Sequence, residues 1–198
     1  MNSIRAQRKQ ALAARRRVSP SERVHRSQRA CTRVARLPVF RRARRIGIYW
    51  PMASEIDPRP LLAQLTTGQT GYLPRVTGPS LRFVALRPAV FRHNKSPLGM
   101  MEPVGGNARR VAALDLLIMP LAAFDDGARR IGMGGGYYDR TLALPHSVHG
   151  YRRPHLLGLA FEAQRVAQIE TRAWDIDLDL LVTESRVRRF APPLSPLR

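Results

Sequence analysis

Apolar and polar positions follow two periods along this chain. Apolar runs bounded by charged residues, Pro or Gly predict strands at 46–50, 71–76, 81–86, 114–119, 155–161 and 174–183. The stretches 3–17, 19–38, 57–65 and 137–144 predict helices. Residues 114–119 form an almost continuous apolar run, which is typical of a central strand with both faces covered. Because the strands alternate with helices, the sequence predicts an α/β fold with a mostly parallel sheet covered on both sides.

Local signals mark the beginning of two of these helices. Ser19 and Glu22 have the spacing of a capping box, with Pro20 at the first helical position. Asp57 followed by Pro58 gives a similar start for the helix over 57–65. We expect the second of these helices to bury Leu61, Leu62 and Leu65.

Charge is distributed very unevenly. The chain carries a formal net charge of +20, and residues 1–45 hold 15 Lys and Arg against one acid, Glu22, which is +14 of that total. A basic arm of this kind fits a polyanion partner. However, this segment contains one Phe and no Tyr or Trp, so it lacks a platform on which bases could stack. We therefore interpret it as a solvated helical face, with part of the charge serving an anionic substrate, and we expect no specific nucleic-acid partner.

Composition narrows the class of protein. A length of 198 residues and a hydrophobic fraction of 44% fit one globular domain over 1–198, with a basic helical segment at 1–37 and a frayed tail at 191–198. The one cysteine, Cys31, allows no disulfide within the chain and suits a reducing cytosol. The longest apolar stretch, 111–124, is interrupted by Asp115 and Pro120 and is too short to cross a bilayer. We expect a cytoplasmic monomer without a membrane partner.

The candidate chemistry is concentrated in residues 130–140. Four of these eleven residues are glycines, and two tyrosines, Asp139 and Arg140 follow them directly. Glycines at this density suit a loop whose backbone takes positive φ or lies directly against a ligand. Successive N–H groups in such a loop form a concavity that binds phosphate. Asp139 adds a hard oxygen that could bind a Mg²⁺ ion on that phosphate. Neither the Walker A pattern nor a complete G-x-G-x-x-G is present.

Residues 120–125, Gly127 and 130–140 together resemble the signature of the 5-formyltetrahydrofolate cyclo-ligase family, also called methenyltetrahydrofolate synthetases. The resemblance extends more loosely from Ile4 to about residue 185. It implies a three-layer α/β/α sandwich like that of ribose-5-phosphate isomerase and CoA-transferase domains. It also implies ATP- and Mg²⁺-dependent closure of 5-formyltetrahydrofolate, in its free or polyglutamylated form, to 5,10-methenyltetrahydrofolate with release of ADP and phosphate.

The same resemblance suggests roles for individual residues. It implies no nucleophilic side chain, and Arg130 and Tyr138 would support the chemistry by their position and charge. Folate contacts fall on Trp50, Glu55, Met133 and Tyr137, and the metal ligands on Asp139 and Asp179. ATP contacts fall on Arg5, Arg130, Ile131, Gly132, Met133, Gly134, Gly135, Gly136, Tyr137 and Tyr138. A carboxylate such as Glu55 suits the pterin, because it can accept a pair of N–H donors.

Some assignments stay open at the level of sequence. The family's N-terminal lysine would fall at Met1, so either the chain's start is misassigned or Arg8 and Lys9 supply the charge. Asp175, Asp177 and Asp179 alternate with apolar residues at the start of a predicted strand, so we expect them on one face.

Two other functions fit less of the sequence: a sugar-phosphate isomerase on the same fold, and a basic nucleic-acid-binding protein.

Overall fold

An eight-stranded mixed sheet forms the centre of the fold in the computed structural model, which describes residues 3–86, 93–95, 101–143, 153–170, 172 and 175–190. The predicted tail at 191–198 lies outside the described residues. The helices are α1 (Ile4–Arg16), α2 (Pro20–Ala35), α3 (Pro38–Arg42) and α4 (Tyr137–Leu142). Short 3-10 helices span Arg59–Gln64, Val111–Ala113 and Glu162–Gln164. The strands are β1 (Arg45–Gly47), β2 (Thr70–Thr77), β3 (Ser80–Ala85), β4 (His93–Lys95), β5 (Met101–Pro103), β6 (Ala108–Arg109), β7 (Leu116–Met119), β8 (Ala123–Phe124), β9 (Arg130–Ile131), β10 (His155–Leu159), β11 (Leu180–Val182) and β12 (Val187–Arg189).

The strand order of the large sheet is β12-β11-β10-β7-β1-β2-β3-β6. The five central strands, from β11 to β2, are parallel, and the outer strands β12, β3 and β6 pair antiparallel. The predicted α/β fold with a mostly parallel sheet is therefore confirmed. Parallel strands end at one edge of the sheet, so the loops after β1 and β7 meet there. This edge is where open α/β sheets place their ligands.

Two hydrophobic cores cover the two faces of the sheet. Leu116 and Ile118 of β7 belong to one core, while Leu117 and Met119 belong to the other. Neighbouring residues of a strand point to opposite faces, which explains the division. Helices α2 and α3 and the first 3-10 helix pack on the first core, and α4 packs on the second. The apolar residues of the run 114–119 are thus buried on both sides, as the pattern predicts, and Asp115 is exposed.

Helix α1 packs outside the large sheet. Its Ala11 joins a small third core with Ala123 of β8, Ile131 of β9 and Ile169. Strands β8 and β9 pair as an antiparallel hairpin that follows β7. Gln7 of α1 also donates a hydrogen bond to the carbonyl oxygen of Gln168 at 2.6 Å. The basic N-terminal helix is therefore fastened to the segment that leads into the glycine loop.

Local predictions differ in how well they hold. The capping box is present, because Ser19 accepts a hydrogen bond from the Glu22 N–H and Glu22 accepts one from the Ser19 N–H. The helix predicted over 57–65 is a 3-10 helix, Arg59–Gln64. The strand predicted over 174–183 begins only at Leu180, so the prediction that Asp175, Asp177 and Asp179 share a strand face is wrong. Buried Leu178 instead joins the second core in a segment without regular structure.

Within the described part of the chain, no helix combines the length and the hydrophobicity needed to cross a membrane.

Candidate active site

The glycine loop connects β9 to α4 at the carboxyl edge of the parallel strands. Gly134 has φ +107° and Gly136, the residue before α4, has φ +63°, so both need the left-handed region that glycine tolerates. The carbonyl oxygen of Gly132 accepts a hydrogen bond from Arg8 Nε at 3.0 Å, and that of Gly135 accepts one from Arg140 at 2.6 Å. Two arginines therefore hold the loop through its carbonyl groups and leave its N–H groups for a ligand.

One side of this loop forms a wall of an apolar cavity of about 280 Å³. The other walls come from the loop after β1, from β2, and from α4. A flat, mainly apolar molecule with a few polar edge groups fits such a lining. The lining residues are Tyr49, Trp50, Met52, Glu55, Pro74, Leu81, Met101, Pro120, Arg130, Gly132, Met133, Gly135, Gly136, Tyr137, Tyr138 and Asp139.

Glu55 is the buried carboxylate of this cavity. Its side chain is 5% exposed and accepts a hydrogen bond from the Met52 N–H at 2.9 Å. The second carboxylate oxygen lies 3.5 Å from a guanidinium nitrogen of Arg15, which is also 5% exposed. Burial raises the pKa of Glu55 above its usual value, while the Met52 N–H and Arg15 lower it. A buried carboxylate held in this way retains lone pairs for a donor in the cavity.

Aromatic residues flank Glu55. Trp50 is half-buried, and the guanidinium of Arg59 lies 4.9 Å from its ring centroid. Tyr49 donates a hydrogen bond to the Ile56 carbonyl oxygen at 2.8 Å, which fixes the start and the end of the loop that carries Glu55. Burial, followed by the charge of Glu55, raises the pKa of Tyr138 well above its usual value. Tyr138 therefore stays protonated and can donate a hydrogen bond.

The other side of the glycine loop borders a second cavity of about 350 Å³, and its lining is polar and charged. Helix α1 contributes Arg5 and Arg8, and the segment before β11 contributes Arg172 and Asp175. Arg130, Gly132, Gly136 and Asp139 line both cavities. The complete lining is Ile4, Arg5, Arg8, Arg130, Ile131, Gly132, Gly134, Gly136, Asp139, Ile169, Glu170, Arg172 and Asp175.

Arg130 and Asp139 form an ion pair at the boundary of the two cavities. Their nearest atoms are 2.6 Å apart, and the side chain of Arg130 is only 5% exposed. Arg130 Nε is buried without a hydrogen-bond partner in the described part of the chain. A guanidinium held between two cavities, with a donor still unsatisfied, is placed to contact a ligand that reaches across the boundary.

The structure does not bring Asp179 to Asp139. The Asp179 carboxylate makes a bidentate pair with Arg153 at 2.7 and 2.8 Å and accepts a hydrogen bond from the Leu156 N–H at 2.8 Å. These contacts hold Asp179 beside the beginning of β10, at the edge of the sheet opposite the glycine loop. The acids that line the second cavity together with Asp139 are Glu170 and Asp175, and Asp175 lies four residues before Asp179.

The other residues singled out in the sequence lie around the same loop. Tyr137 and Met133 line the first cavity. Met133 is 41% exposed, and its sulfur lies 3.8 Å from a guanidinium nitrogen of Arg15. Ile131 is buried in the third core and also lines the second cavity. Lys9 is exposed and lines neither cavity, whereas Arg5 and Arg8 line the second. Of the two cations left open by the sequence, the structure favours Arg8.

Sequence reasoning missed Arg15. It lies four residues after Ala11, which is the buried position of α1, so helical periodicity places both on one face. Arg15 is the first of three consecutive arginines at 15–17, and the residue types alone do not distinguish the buried one from its exposed neighbours.

The comparisons with known proteins agree on one family. Residues 1–184 match the profile of the 5-formyltetrahydrofolate cyclo-ligase family. The chain is 32% identical over 178 residues to 5-formyltetrahydrofolate cyclo-ligase of Escherichia coli K12, covering 87% of this chain and 96% of that protein. It superimposes on the NMR structure of 5,10-methenyltetrahydrofolate synthetase from Aquifex aeolicus with a TM-score of 0.81 and 30% identity, over 98% of this chain and 96% of that one. The 5,10-methenyltetrahydrofolate synthetase from Mycoplasma pneumoniae shares the fold, with a TM-score of 0.71 and 24% identity over 92% and 99% of the two chains.

Proposed function

The chain belongs to the 5-formyltetrahydrofolate cyclo-ligase family, and on that premise we propose that its two cavities hold the two substrates of one reaction. ATP occupies the charged cavity with its phosphates against the glycine loop, and 5-formyltetrahydrofolate occupies the apolar cavity. The observation that carries this proposal is the shared wall: Arg130, Gly132, Gly136 and Asp139 border both spaces. A phosphoryl group on one side of this wall can reach an acceptor on the other.

The apolar cavity suits the pterin end of the folate. Glu55 accepts hydrogen bonds from the pterin amino group and a ring N–H, because its buried carboxylate retains lone pairs that face the cavity. Trp50 and Tyr137 contribute apolar surface for the flat ring system. Met133 lies in the same wall and adapts to the ligand's outline. These contacts orient the formyl group toward the glycine loop.

The charged cavity suits the triphosphate. Arg5, Arg8 and Arg172 enter it from two segments of the chain. The N–H groups of the glycine loop add neutral donors that need no charge of their own to bind phosphate oxygens. Guanidinium groups pair with phosphate oxygens in a fixed, bidentate geometry. This combination supports nucleotide binding without a Walker-type lysine.

The chemistry needs position and charge rather than a nucleophilic side chain. The formyl oxygen attacks the γ-phosphorus, an O–P bond forms, and the bond to the β-phosphate oxygen breaks to release ADP. The folate N10 then attacks the formyl carbon, loses its proton, and the formyl oxygen leaves with the phosphate. Arg130 balances negative charge at the boundary where the phosphoryl group crosses. Tyr138 donates a hydrogen bond on the folate side.

The carboxylates of the charged cavity fit Mg²⁺. Asp139 and Asp175 line it as half-buried acids, whereas Glu170 is exposed. Hard oxygen ligands of this kind are those that Mg²⁺ takes in proteins together with phosphate oxygens and water. When bound, the ion neutralises charge on the phosphates. We propose Asp139 and Asp175 as its protein ligands in place of Asp139 and Asp179.

The direct test follows product formation by its absorbance. Purified protein with 5-formyltetrahydrofolate and Mg-ATP should form 5,10-methenyltetrahydrofolate and release one ADP for each product molecule. Omission of ATP, or of Mg²⁺ in the presence of a chelator, should abolish the signal. Product formation that proceeds without ATP would contradict the proposal.

Glu55→Gln should weaken folate binding by about 1.5–3 kcal/mol, the usual contribution of a hydrogen bond to a charged group. The glutamine keeps the size of the side chain but replaces one acceptor with a donor, so the pair of pterin N–H groups loses a partner. ATP binding should change little, because Glu55 lines only the apolar cavity. Calorimetric titration with each substrate checks both statements.

Asp177→Asn serves as the control for this variant, since Asp177 is an exposed acid that lines neither cavity. If Glu55→Gln and Asp177→Asn bind folate equally well, Glu55 does not contact the pterin.

A further inference from the structure

We propose that Arg15 is a positioning residue of the folate site, which holds the Glu55 carboxylate in place and joins it to the glycine loop. The inference rests on the proposed role of Glu55 in binding the pterin. Arg15 lines neither cavity, so it acts on folate through the lining residues that it contacts, Glu55 and Met133.

The geometry places one guanidinium between two distant parts of the chain. A terminal nitrogen of Arg15 lies 3.5 Å from the Glu55 carboxylate, which follows β1, and 3.8 Å from the Met133 sulfur in the glycine loop. The same helix reaches the loop a second time through Arg8, which donates to the Gly132 carbonyl oxygen. Helix α1 therefore fixes the relative position of the folate-binding acid and the loop between the cavities.

A contribution to stability alone explains this arrangement poorly. Arg15 and Glu55 are both about 95% buried, and Arg15 Nε has no hydrogen-bond partner in the described residues. Burial of an ion pair costs desolvation free energy that its Coulomb attraction often fails to offset. An unsatisfied buried N–H adds to that cost. Because a buried ion pair is weak evidence for stability, this pair is better explained by what it does for the carboxylate.

The groups around Glu55 show what Arg15 contributes. Tyr49 faces it from the segment after β1 and Tyr138 from α4, and both carry phenols whose pKa is raised by burial and by the charge of Glu55. The Met52 N–H donates from the loop itself. Arg15 is the cation that favours the ionised form of this carboxyl. Without that cation, burial raises the pKa of Glu55 further, and the protonated form, which carries a hydrogen on one oxygen, cannot accept a pair of hydrogen bonds from the pterin.

The sign of the pH dependence follows. Folate binding that needs ionised Glu55 is present above the Glu55 pKa and is lost as the pH falls through it. Removal of Arg15 raises that pKa further, so the loss of affinity moves to higher pH. An opposite charge at this distance changes a carboxyl pKa by about one to three units.

The experiment measures the dissociation constant of 5-formyltetrahydrofolate by calorimetry across a range of pH, without nucleotide, for the full chain. Arg15→Met should raise the pH midpoint of folate binding by about one to three units. Arg15→Lys keeps the cation and should return the midpoint close to that of the unaltered protein. Arg16→Met is the matched control, because Arg16 is the exposed neighbour on the same helix, and its profile should overlie that of the unaltered protein.

Two further variants keep the test decisive. Arg15→Gln removes the charge and retains a donor, so it gives the same test if Arg15→Met does not fold. The double variant Arg15→Met with Glu55→Gln removes both buried charges and should bind folate no more weakly than Glu55→Gln alone, without a pH midpoint.

A midpoint in Arg15→Met equal to that of the unaltered protein would overturn the inference. A loss of affinity that is uniform with pH, and that persists in the double variant relative to Glu55→Gln, would also overturn it by showing a purely structural role. If Glu55→Gln itself binds folate normally, the proposed function of Glu55 fails first; if Glu55→Gln is impaired and Arg15→Met is not, only the role of Arg15 fails.

Discussion

Gly134→Val and Gly136→Val should each abolish ATP binding while the chain stays folded. Both glycines have positive φ, at +107° and +63°, which a β-branched residue adopts only with strain. At Gly136 an added Cβ would also lie 2.6 Å from the guanidinium of Arg140, which holds the neighbouring Gly135 carbonyl group. The loop would rearrange, and its N–H groups would no longer converge on the phosphates.

Gly68→Val is the matched control for backbone strain. Gly68 has φ +91° with open space around it, as Gly134 has, but it lies in the turn before β2 and lines neither substrate cavity. Calorimetry should show ATP affinity retained in Gly68→Val and absent in the two loop variants, with melting temperatures that confirm folding. Near-normal ATP affinity in either loop variant would exclude the phosphate-binding role of the loop.

Asp139→Asn should lower kcat by about two to three orders of magnitude, the scale seen when one preorganised electrostatic contact at a reacting group is removed. Asparagine keeps an oxygen that can accept from Arg130, whose nitrogen is 2.6 Å from the Asp139 carboxylate, so the local fold should persist. The charge that a metal ion requires is lost. Steady-state rates at several Mg²⁺ concentrations, combined with a thermal melt, check this expectation.

Two companion variants separate the metal site from structural acids. Asp175→Asn should lower kcat in the same direction as Asp139→Asn and raise the Mg²⁺ concentration needed for activity. Asp179→Asn should lower the melting temperature and leave the Mg²⁺ dependence unchanged, because Asp179 pairs with Arg153 and the Leu156 N–H. A change in Mg²⁺ dependence with Asp179→Asn, and none with Asp175→Asn, would reverse the assignment.

The sequence predicts the parts of this fold that depend on local pattern. Within the apolar run at 114–119, the strand Leu116–Met119 is buried on both faces, because a parallel strand between helical layers has no exposed side. The capping box at Ser19 and Glu22 is present, since its hydrogen bonds depend on residues three apart. The glycine loop can also be predicted from the sequence, because the left-handed backbone conformation at Gly134 and Gly136 is accessible mainly to glycine.

What the sequence does not predict depends on contacts between distant segments. Asp175 and Asp179 hold equivalent positions in an alternating pattern. Only the structure shows that Asp175 lines the second cavity, whereas Asp179 pairs with Arg153 beside β10. Arg15 is one of three consecutive arginines, and its burial depends on Glu55, forty residues later. Local periodicity contains no information about such pairings, so both residues need the tertiary structure.

The central claim is that the two substrates bind at the same time, on opposite sides of one loop. Its most direct test is a calorimetric titration of 5-formyltetrahydrofolate into protein saturated with Mg²⁺ and a non-hydrolysable ATP analogue. We expect one folate to bind per chain, with an affinity at least equal to that of the nucleotide-free protein. If the saturated protein no longer binds folate, or if folate displaces the nucleotide analogue, the substrates share one site and the claim is wrong.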